Sequence, residues 1–286
     1  MEDILQDCGV IYAVTGEHFF KETRTSIRSI RAVHPDLPVT VAYAWHGREL
    51  RTILEGIHGV DYLDLTKIVE NTGLNISDGM ERSRGVKINT IKHSPYRHTL
   101  FLDSDTYVRK TLVPIFDALR EDDTQIVLTN EPIAHYPKEK YQSLGDKDRP
   151  NAAGLLSLSN PSYFNSGVFA FRDSVREYGL GDRWVDTFLK QAKSPATSNW
   201  SRLCDQAALN NSVRALNDIP RKILPNTRWN AQCKILNELY KQGRWDDIHI
   251  IHCKMVHHLG PNPLDLVKSD YISKFEIMDS VAQIGC

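Results

Sequence analysis

The sequence predicts an α/β fold in which a mostly parallel central sheet is flanked by helices. Three observations support this prediction. Apolar, β-prone runs alternate with stretches of helical periodicity in the N-terminal part of the chain. Hydrophobic residues make up 41% of the 286 positions, which is enough for one large core. No repeat, low-complexity tract or long linker divides the chain, so we expect a single domain over residues 1–286.

Each element follows from its residue pattern. Short apolar runs predict strands, and apolar side chains at three- and four-residue spacing predict helices. A polar stretch rich in turn-forming residues, Tyr136–Gly154, is predicted to be a loop. In chain order, the N-terminal strands and helices alternate as strand Gly9–Val14, helix Phe19–Pro35, strand Pro38–Ala44, helix Gly47–Ile57, strand Val60–Leu65, helix Glu81–Tyr96 and strand Thr99–Asp105.

Charge and cysteine content narrow the class of protein. Lysine and arginine number 35 against 36 acidic residues, a net charge of −1, so no strong field attracts nucleic acid or anionic lipid. The five cysteines are scattered without a CxxC pair, which fits buried, reduced thiols better than a disulfide framework. The acidic start does not resemble a signal peptide, and no run of about 18 apolar residues occurs. We therefore expect a cytoplasmic location and no integral membrane segment.

Two aspartates stand at the carboxyl end of the last predicted strand. In extended backbone, residues i and i+2 point to one side, so Asp103 and Asp105 should converge while Ser104 points away. Converging carboxylates repel unless a cation lies between them, and hard divalent ions such as Mn²⁺ or Mg²⁺ prefer oxygen ligands. Thr15 and Gly16 end another strand at the same sheet edge, where ligands bind in such folds. Taken alone, the spacing is weak evidence, because it also occurs by chance in turns and helix caps.

Four further motifs follow the aspartates, and their order carries more information than any one of them. The motifs are YFNSGVFAFR (Tyr163–Arg172), DQAALN (Asp205–Asn210), LPNTRWN (Leu224–Asn230) and IHIIHCK (Ile248–Lys254). Together with FLDSDT they resemble the retaining nucleotide-sugar glycosyltransferases of the glycogenin and bacterial galactosyltransferase type, which have the GT-A fold. The resemblance implies a nucleotide-binding half over residues 1–105 and a sugar- and acceptor-binding half with a C-terminal extension over residues 106–286.

The same resemblance implies roles for individual residues. Asp103 and Asp105 would bind Mn²⁺ or Mg²⁺ at the donor's diphosphate. Asp205 would accept a hydrogen bond from a sugar hydroxyl, and Gln206 would face the anomeric carbon opposite the leaving group. The remaining donor-binding positions implied are Ala13, Val14, Thr15, Phe19, Lys87, Ser104, Asn165 and Ser166.

Several of these positions have plainer explanations. Phe19 is equally typical of a hydrophobic core, and Lys87 of a solvated helix surface. Asp205 is a suitable residue for the start of a helix.

Histidine is the expected third metal ligand, and His252 after the strand-like IHII is our choice. Imidazole suits Mn²⁺. Here the chain departs from the family, which places a glycine three residues after this histidine and a lysine three further on. His257 and His258 compete for the role; from His257 the glycine fits as Gly260, but a proline follows where lysine should stand. Lys254 is the candidate that replaces the missing positive charge on the diphosphate.

The reaction implied by the resemblance is transfer of a hexose from a nucleotide-diphosphate sugar, with UDP as the favoured nucleotide, to an acceptor hydroxyl with retention. The acceptor is left open among glycans, lipid-linked, protein and small-molecule hydroxyls, as is the oligomeric state. Two other classes remain: a phosphohydrolase with Asp103 as nucleophile and Asp105 as acid/base, and a non-catalytic module that binds nucleotide sugar or glycan. The phosphohydrolase fits poorly, because Tyr107 stands where such enzymes usually have threonine.

Overall fold

A seven-stranded sheet forms the centre of the computed structural model, which describes residues 5–131, 163–194 and 202–253. The predictions for the loop Tyr136–Gly154, for Lys254, His257 and His258 and for the C-terminal extension lie outside these residues. The described strands are β1 (Cys8–Val14), β2 (Val39–Tyr43), β3 (Val60–Asp64), β4 (His98–Leu102), β5 (Thr106–Val108), β6 (Ile126–Asn130), β7 (Phe164–Arg172), β8 (Arg221–Leu224), β9 (Ala231–Gln232) and β10 (Ile250–His252).

Helices connect most of these strands. They are α1 (His18–Val33), α2 (Gly47–Leu54), α3 (Thr66–Glu70), α4 (Gly79–Ile88), α5 (Thr90–His93), α6 (Val113–Arg120), α7 (Leu180–Ala192), α8 (Asp205–Ala215), α9 (Asn226–Trp229) and α10 (Cys233–Lys241), with 3₁₀ turns at Asp173–Arg176 and Trp245–Asp247. None of the helices in the described ranges is long and apolar enough to cross a membrane.

The main sheet has the strand order β3-β2-β1-β4-β7-β6-β8. The β1 strand pairs in parallel with both β2 and β4, and β2 with β3, as the alternating sequence pattern predicts. Only β7 runs against its neighbours in this sheet, β4 and β6. Since the chain turns from β3 back to the far side of β1, the ends of β1 and β4 flank a topological switch point, where ligands bind in open α/β sheets.

The sheet separates two hydrophobic cores. Alternate residues of β1 face opposite sides, so that Val10 and Tyr12 join the core beneath α1, α2 and α6 while Ile11 joins the other. In that second core Phe101, Phe169 and the helices α4, α7 and α8 pack together. Burial on both faces explains why the central strands are continuous apolar runs rather than alternating ones.

Three local predictions are wrong. Asp103 and Asp105 do not lie in extended backbone, because β4 ends at Leu102 and a turn follows, closed by a hydrogen bond from Thr106 Oγ1 to the Asp103 carbonyl. The single helix predicted over Glu81–Tyr96 is two helices, α4 and α5, separated at Asn89, whose amide donates to the Gly85 carbonyl.

The third concerns the cysteines. Cys253 is disulfide-bonded rather than reduced. Cys8 and Cys204 are not disulfide-bonded, as predicted. Cys8 is buried, and burial raises the pKa of its thiol to about 11, so it stays protonated and unreactive at neutral pH. The cytoplasmic location stays a prediction, and the expectation that all cysteines are reduced no longer supports it.

Candidate active site

The two aspartates of the DxD motif are held by backbone contacts on both sides. The amide of Asp103 donates to the Gly167 carbonyl of β7 at 2.8 Å, and the Asp105 carbonyl accepts from the Cys253 amide at 2.8 Å. The second contact exists because β10 pairs antiparallel with β5, which places His252 opposite Thr106. This small sheet, rather than an extended DxD segment, brings the histidine to the aspartates.

Asp103, Asp105 and His252 form a cluster that could hold a metal ion. One ligand atom from each lies within 4.8 Å of the others. The Nε2 atom of His252 is 3.2 Å from Asp105 Oδ1 and 3.9 Å from Asp103 Oδ2. Two carboxylates and an imidazole are a donor set that suits Mn²⁺. The set suits Mg²⁺ less well, because Mg²⁺ prefers oxygen ligands to the imidazole nitrogen. The predicted ligands therefore fit a divalent ion in both position and chemistry.

Charge in this cluster is finely balanced. Burial raises the pKa of Asp105, but the His252 ring has the larger, opposite effect. The net pKa therefore lies below its ordinary value. Burial lowers the pKa of His252, but Asp105 and Asp103 raise it more, so the net pKa is above normal. A cation at this position would replace the proton that the metal-free cluster favours on the imidazole.

Beside the metal cluster lies a group of buried charges that we call the Lys87 cluster: Lys87, Asp103, Asp205, Arg84 and Ser166. Lys87 Nζ is 2.9 Å from Asp103 Oδ1 and 2.9 Å from Asp205 Oδ2. Arg84 Nε is 2.9 Å from the other oxygen of Asp205, and the Ser166 hydroxyl donates to Oδ2 at 2.8 Å. The Lys87 side chain is only 5% exposed, so it is not a solvated helix lysine.

Electrostatics keep this cluster ionised. Burial raises the pKa of Asp205, but Arg84 and then Lys87 outweigh it and hold the pKa well below its usual range. Burial lowers the pKa of Lys87, but Asp103 and Asp205 leave the net pKa raised. Asp205 is therefore a carboxylate at neutral pH, with both oxygens engaged, and cannot donate a proton to a leaving group.

The first residues of β7 and the start of α8 complete this part of the site. Gln206 Oε1 accepts from the Ser166 amide at 3.2 Å. The Asn165 amide donates to Glu131 Oε2 at 2.7 Å, and its Oδ1 accepts from the Gly167 amide at 2.7 Å. Asn165 and Ser166 are both buried. The structure thus brings Asn165 and Gln206 next to Ser166 of the Lys87 cluster.

The end of β1 supplies the remaining predicted positions. Val14 is buried and Ala13 half-buried. Within the described residues, the buried hydroxyl of Thr15 has no hydrogen-bond partner. An unpaired buried hydroxyl is costly, and a bound ligand would satisfy it.

Helix α1 covers this edge. Phe19 is half-buried against the hydrophobic core, in keeping with the plainer explanation of that residue. Its carbonyl accepts from Thr23 Oγ1, which also approaches Ser104 Oγ at 3.0 Å. The Ser104 hydroxyl is thus directed towards α1.

Sequence reasoning missed Arg84 and Glu131. Arg84 lies three positions before Lys87 on α4, a spacing that puts both on one helix face. That spacing was a readable signal. Glu131 follows β6 and receives a second hydrogen bond, 2.9 Å long, from Gln232 Nε2. Nothing near Glu131 in the sequence indicates this contact, because its partners come from distant segments.

No family model and no curated protein sequence matches the chain. Solved structures do. Mouse xyloside xylosyltransferase 1 in its apo form has a TM-score of 0.57 at 14% identity, over 88% of this chain and 100% of that chain. Galactosyltransferase LgtC in complex with donor and acceptor sugar analogues has a TM-score of 0.54 at 15% identity, over 86% and 87%. The apo bifunctional glycosyltransferase WbbM has a TM-score of 0.54 at 13% identity, over 86% and 45%. These similarities confirm the predicted GT-A fold.

Proposed function

We propose that the chain is a metal-dependent glycosyltransferase that moves a hexose from a nucleotide-diphosphate sugar, UDP-sugar in the first instance, to an acceptor hydroxyl with retention. One observation carries the proposal. In a GT-A fold, Asp103, Asp105 and His252 converge within 4.8 Å at the carboxyl end of β4, directly beside the Lys87 cluster. A site for a divalent ion next to a buried cation is suited to a diphosphate.

The bound Mn²⁺ or Mg²⁺ would supply Lewis-acid stabilisation of the negative charge that develops on the departing diphosphate. Lys87 adds a fixed positive charge on the same side. Its 2.9 Å contacts with Asp103 and Asp205 hold it in place before the donor arrives, so little reorganisation accompanies the reaction.

Asp205 and Gln206 address the sugar. Both oxygens of Asp205 already contact cations, Arg84 and Lys87, which makes it a weak covalent nucleophile but a good anchor for sugar hydroxyls. The Gln206 carboxamide is not ionised and is likewise a poor nucleophile. These properties favour attack of the acceptor hydroxyl on the face that the leaving group vacates, with a leaving phosphate oxygen taking its proton. Double displacement through Asp205 is the less favoured route.

The buried hydroxyl of Thr15, which is unpaired among the residues that the structure describes, supports binding of the nucleotide at the end of β1. Lys254 remains the proposed substitute for the missing diphosphate lysine. The acceptor is a hydroxyl of a glycan, a lipid-linked sugar, a protein or a small molecule, and we propose a cytoplasmic setting for the reaction.

The test is incubation of the purified protein with labelled nucleotide sugars and Mn²⁺, with a phosphatase substrate in a parallel reaction. We expect sugar transfer or slow donor hydrolysis, lost on chelation and lost in Asp103→Asn. The matched control is Asp186→Asn, an exposed aspartate on α7, which should keep full activity.

Two results would overturn the proposal. Phosphate release from the phosphatase substrate, dependent on Asp103, indicates the phosphohydrolase. Tight donor binding without transfer or hydrolysis across the acceptor classes indicates a binding module.

A further inference from the structure

We propose that Asn230 and Thr129 are positioning residues that fix His252 as one neutral tautomer, with the proton on Nδ1 and the Nε2 lone pair directed at the metal. The inference rests on the proposed function, because that function places a divalent ion between Asp103, Asp105 and His252. Neither Asn230 nor Thr129 is expected to touch metal or substrate.

The contact with the imidazole is direct. The His252 Nδ1 atom lies 2.8 Å from Asn230 Oδ1, and its Nε2 atom lies 3.2 Å from Asp105 Oδ1. Asn230 is fully buried, and the His252 side chain is 14% exposed. Because Asn230 has no access to solvent, the orientation of its carboxamide decides which ring nitrogen carries the proton.

The orientation of the Asn230 carboxamide is set by Thr129, which lies on strand β6 of the main sheet. Thr129 Oγ1 is 2.9 Å from the Val168 carbonyl oxygen, and Asn230 Nδ2 is 3.0 Å from Thr129 Oγ1. A carbonyl oxygen only accepts, so the single hydroxyl hydrogen of Thr129 is used on Val168. The hydroxyl must then accept from Asn230, which turns the amide nitrogen towards Thr129 and the amide oxygen towards His252.

These three hydrogen bonds, from His252 through Asn230 and Thr129 to Val168, form a series that we call the relay. The direction of each bond in the relay follows from the Val168 carbonyl group. Val168 accepts from Thr129, Thr129 accepts from Asn230, and Asn230 accepts from the Nδ1–H of His252. The flipped carboxamide would direct an N–H donor at Nδ1 and leave a buried group unpaired at Thr129. Histidine ligands are commonly held in this manner by a partner on the second nitrogen, and here the partner is itself held from the sheet.

Thr129→Val tests the relay, because valine has a similar shape but neither accepts nor donates. With the hydroxyl gone, the Asn230 carboxamide is free to rotate and His252 populates both tautomers. We expect Mn²⁺ affinity, measured by calorimetry, to fall roughly 10- to 100-fold, the usual range for such partners. Thr129→Ser restores the hydroxyl and should return the affinity towards the wild-type value.

A matched control uses a buried threonine of β4, the sheet strand next to β7. Thr99 is also fully buried, and its Oγ1 contacts only Ser94 and the Tyr96 carbonyl among the described hydrogen bonds. Thr99→Val should leave Mn²⁺ affinity unchanged, which separates the relay from the general cost of removing a buried hydroxyl.

A second readout does not depend on the metal. The ¹⁵N shifts of the His252 ring, recorded for the metal-free protein at alkaline pH where the imidazole is neutral, should report a protonated Nδ1 in the wild type. In Thr129→Val they should move towards the other tautomer. If that variant is poorly folded, Asn230→Ala removes the acceptor directly and should give the same shift.

The outcomes are distinct. Wild-type Mn²⁺ binding with unchanged affinity and unchanged ring shifts in Thr129→Val overturns the relay and leaves the proposed function standing. Failure of the wild type to bind Mn²⁺ overturns both. Reduced affinity, a shifted tautomer and rescue by serine establish the two residues as positioning residues.

Discussion

At the scale of single residues, the same atoms of the Lys87 cluster contribute to the stability of the fold and to the proposed chemistry. Asp205 is buried and contacts Arg84 on one oxygen and Lys87 on the other. Burial of a charge is costly unless partners compensate it, and Arg84 and Lys87 supply the opposite charges here. Each member therefore supports the fold as well as the proposed chemistry, and a substitution here should be measured for both.

Asp205→Asn should lower the free energy of unfolding by about 3 kcal/mol at neutral pH, because it leaves Arg84 and Lys87 with one fewer counter-charge in a buried position. The folded-state pKa of Asp205 is depressed, so its contribution is fully present above the unfolded value of about 3.9. That contribution is lost as the pH falls through the folded-state pKa. Urea unfolding of both proteins should therefore show a gap that is constant near neutrality and narrows only in strong acid. A gap that instead widens in acid would contradict this assignment.

Gly167→Ala should damage the metal cluster directly. A Cβ atom at this position would lie 2.5 Å from Asp103 Oδ2 and closer still to the His252 ring. Overpacking of this kind costs about 1 to 3 kcal/mol, and we expect Mn²⁺ affinity to fall by about tenfold or more. Gly181→Ala is the control, since it is also crowded, but by the flexible Lys92 side chain. Equal Mn²⁺ affinities in the two variants would show that Gly167 does not shape the cluster.

At the scale of elements, helix α4 delivers two of the site's charges. Arg84 and Lys87 are three positions apart on this helix, and the helix begins at a defined cap, where Asp78 accepts from the amides of Met80 and Glu81. Glu81 in turn receives a salt bridge from Arg202. The polarity of α4, which in the sequence is typical of a solvated helix, instead reflects its buried contacts with Asp103 and Asp205.

Asp78→Ala removes the cap of α4 and should lower the free energy of unfolding by about 1 kcal/mol. Asparagine caps nearly as well as aspartate, so Asp78→Asn should recover most of that loss. Chemical denaturation of the three proteins, compared at equal denaturant slope, measures the difference. If alanine and asparagine are equally stable, the cap contributes nothing to the anchoring of α4.

At the scale of the whole molecule, binding should appear as added stability. A donor nucleotide with Mn²⁺ at about 100 times its dissociation constant adds about 2.7 kcal/mol, which raises Tm by several degrees in a protein of this size. Scanning fluorimetry with UDP and Mn²⁺ together should show this rise in the wild type. Asp103→Asn should show little of it, and an equal rise in both proteins would place binding elsewhere.

The parallel half of the sheet and the residues at its carboxyl edge could be predicted because the spacing of apolar residues and the turn-forming residues between elements are local signals. The direction of β7 could not, since a strand buried on both faces is an apolar run whichever way it points. The turn after Leu102 was missed because it depends on a threonine side chain that also fits a strand. The contacts of Glu131 come from residues far along the chain, and nothing in the local sequence indicates that packing, whereas the spacing of Arg84 and Lys87 on α4 was a signal that could have been used.

The pairing of β5 with β10 also has a kinetic consequence. His252 reaches the aspartates only after segments separated by about half of the chain have met, and such distant contacts form late because loop closure must precede them. On the ribosome the nascent protein would therefore complete the candidate metal site near the end of folding. Interactions that form after the rate-limiting barrier slow unfolding without hastening folding. Mn²⁺ should thus lower the unfolding rate of the native protein and leave the refolding rate unchanged.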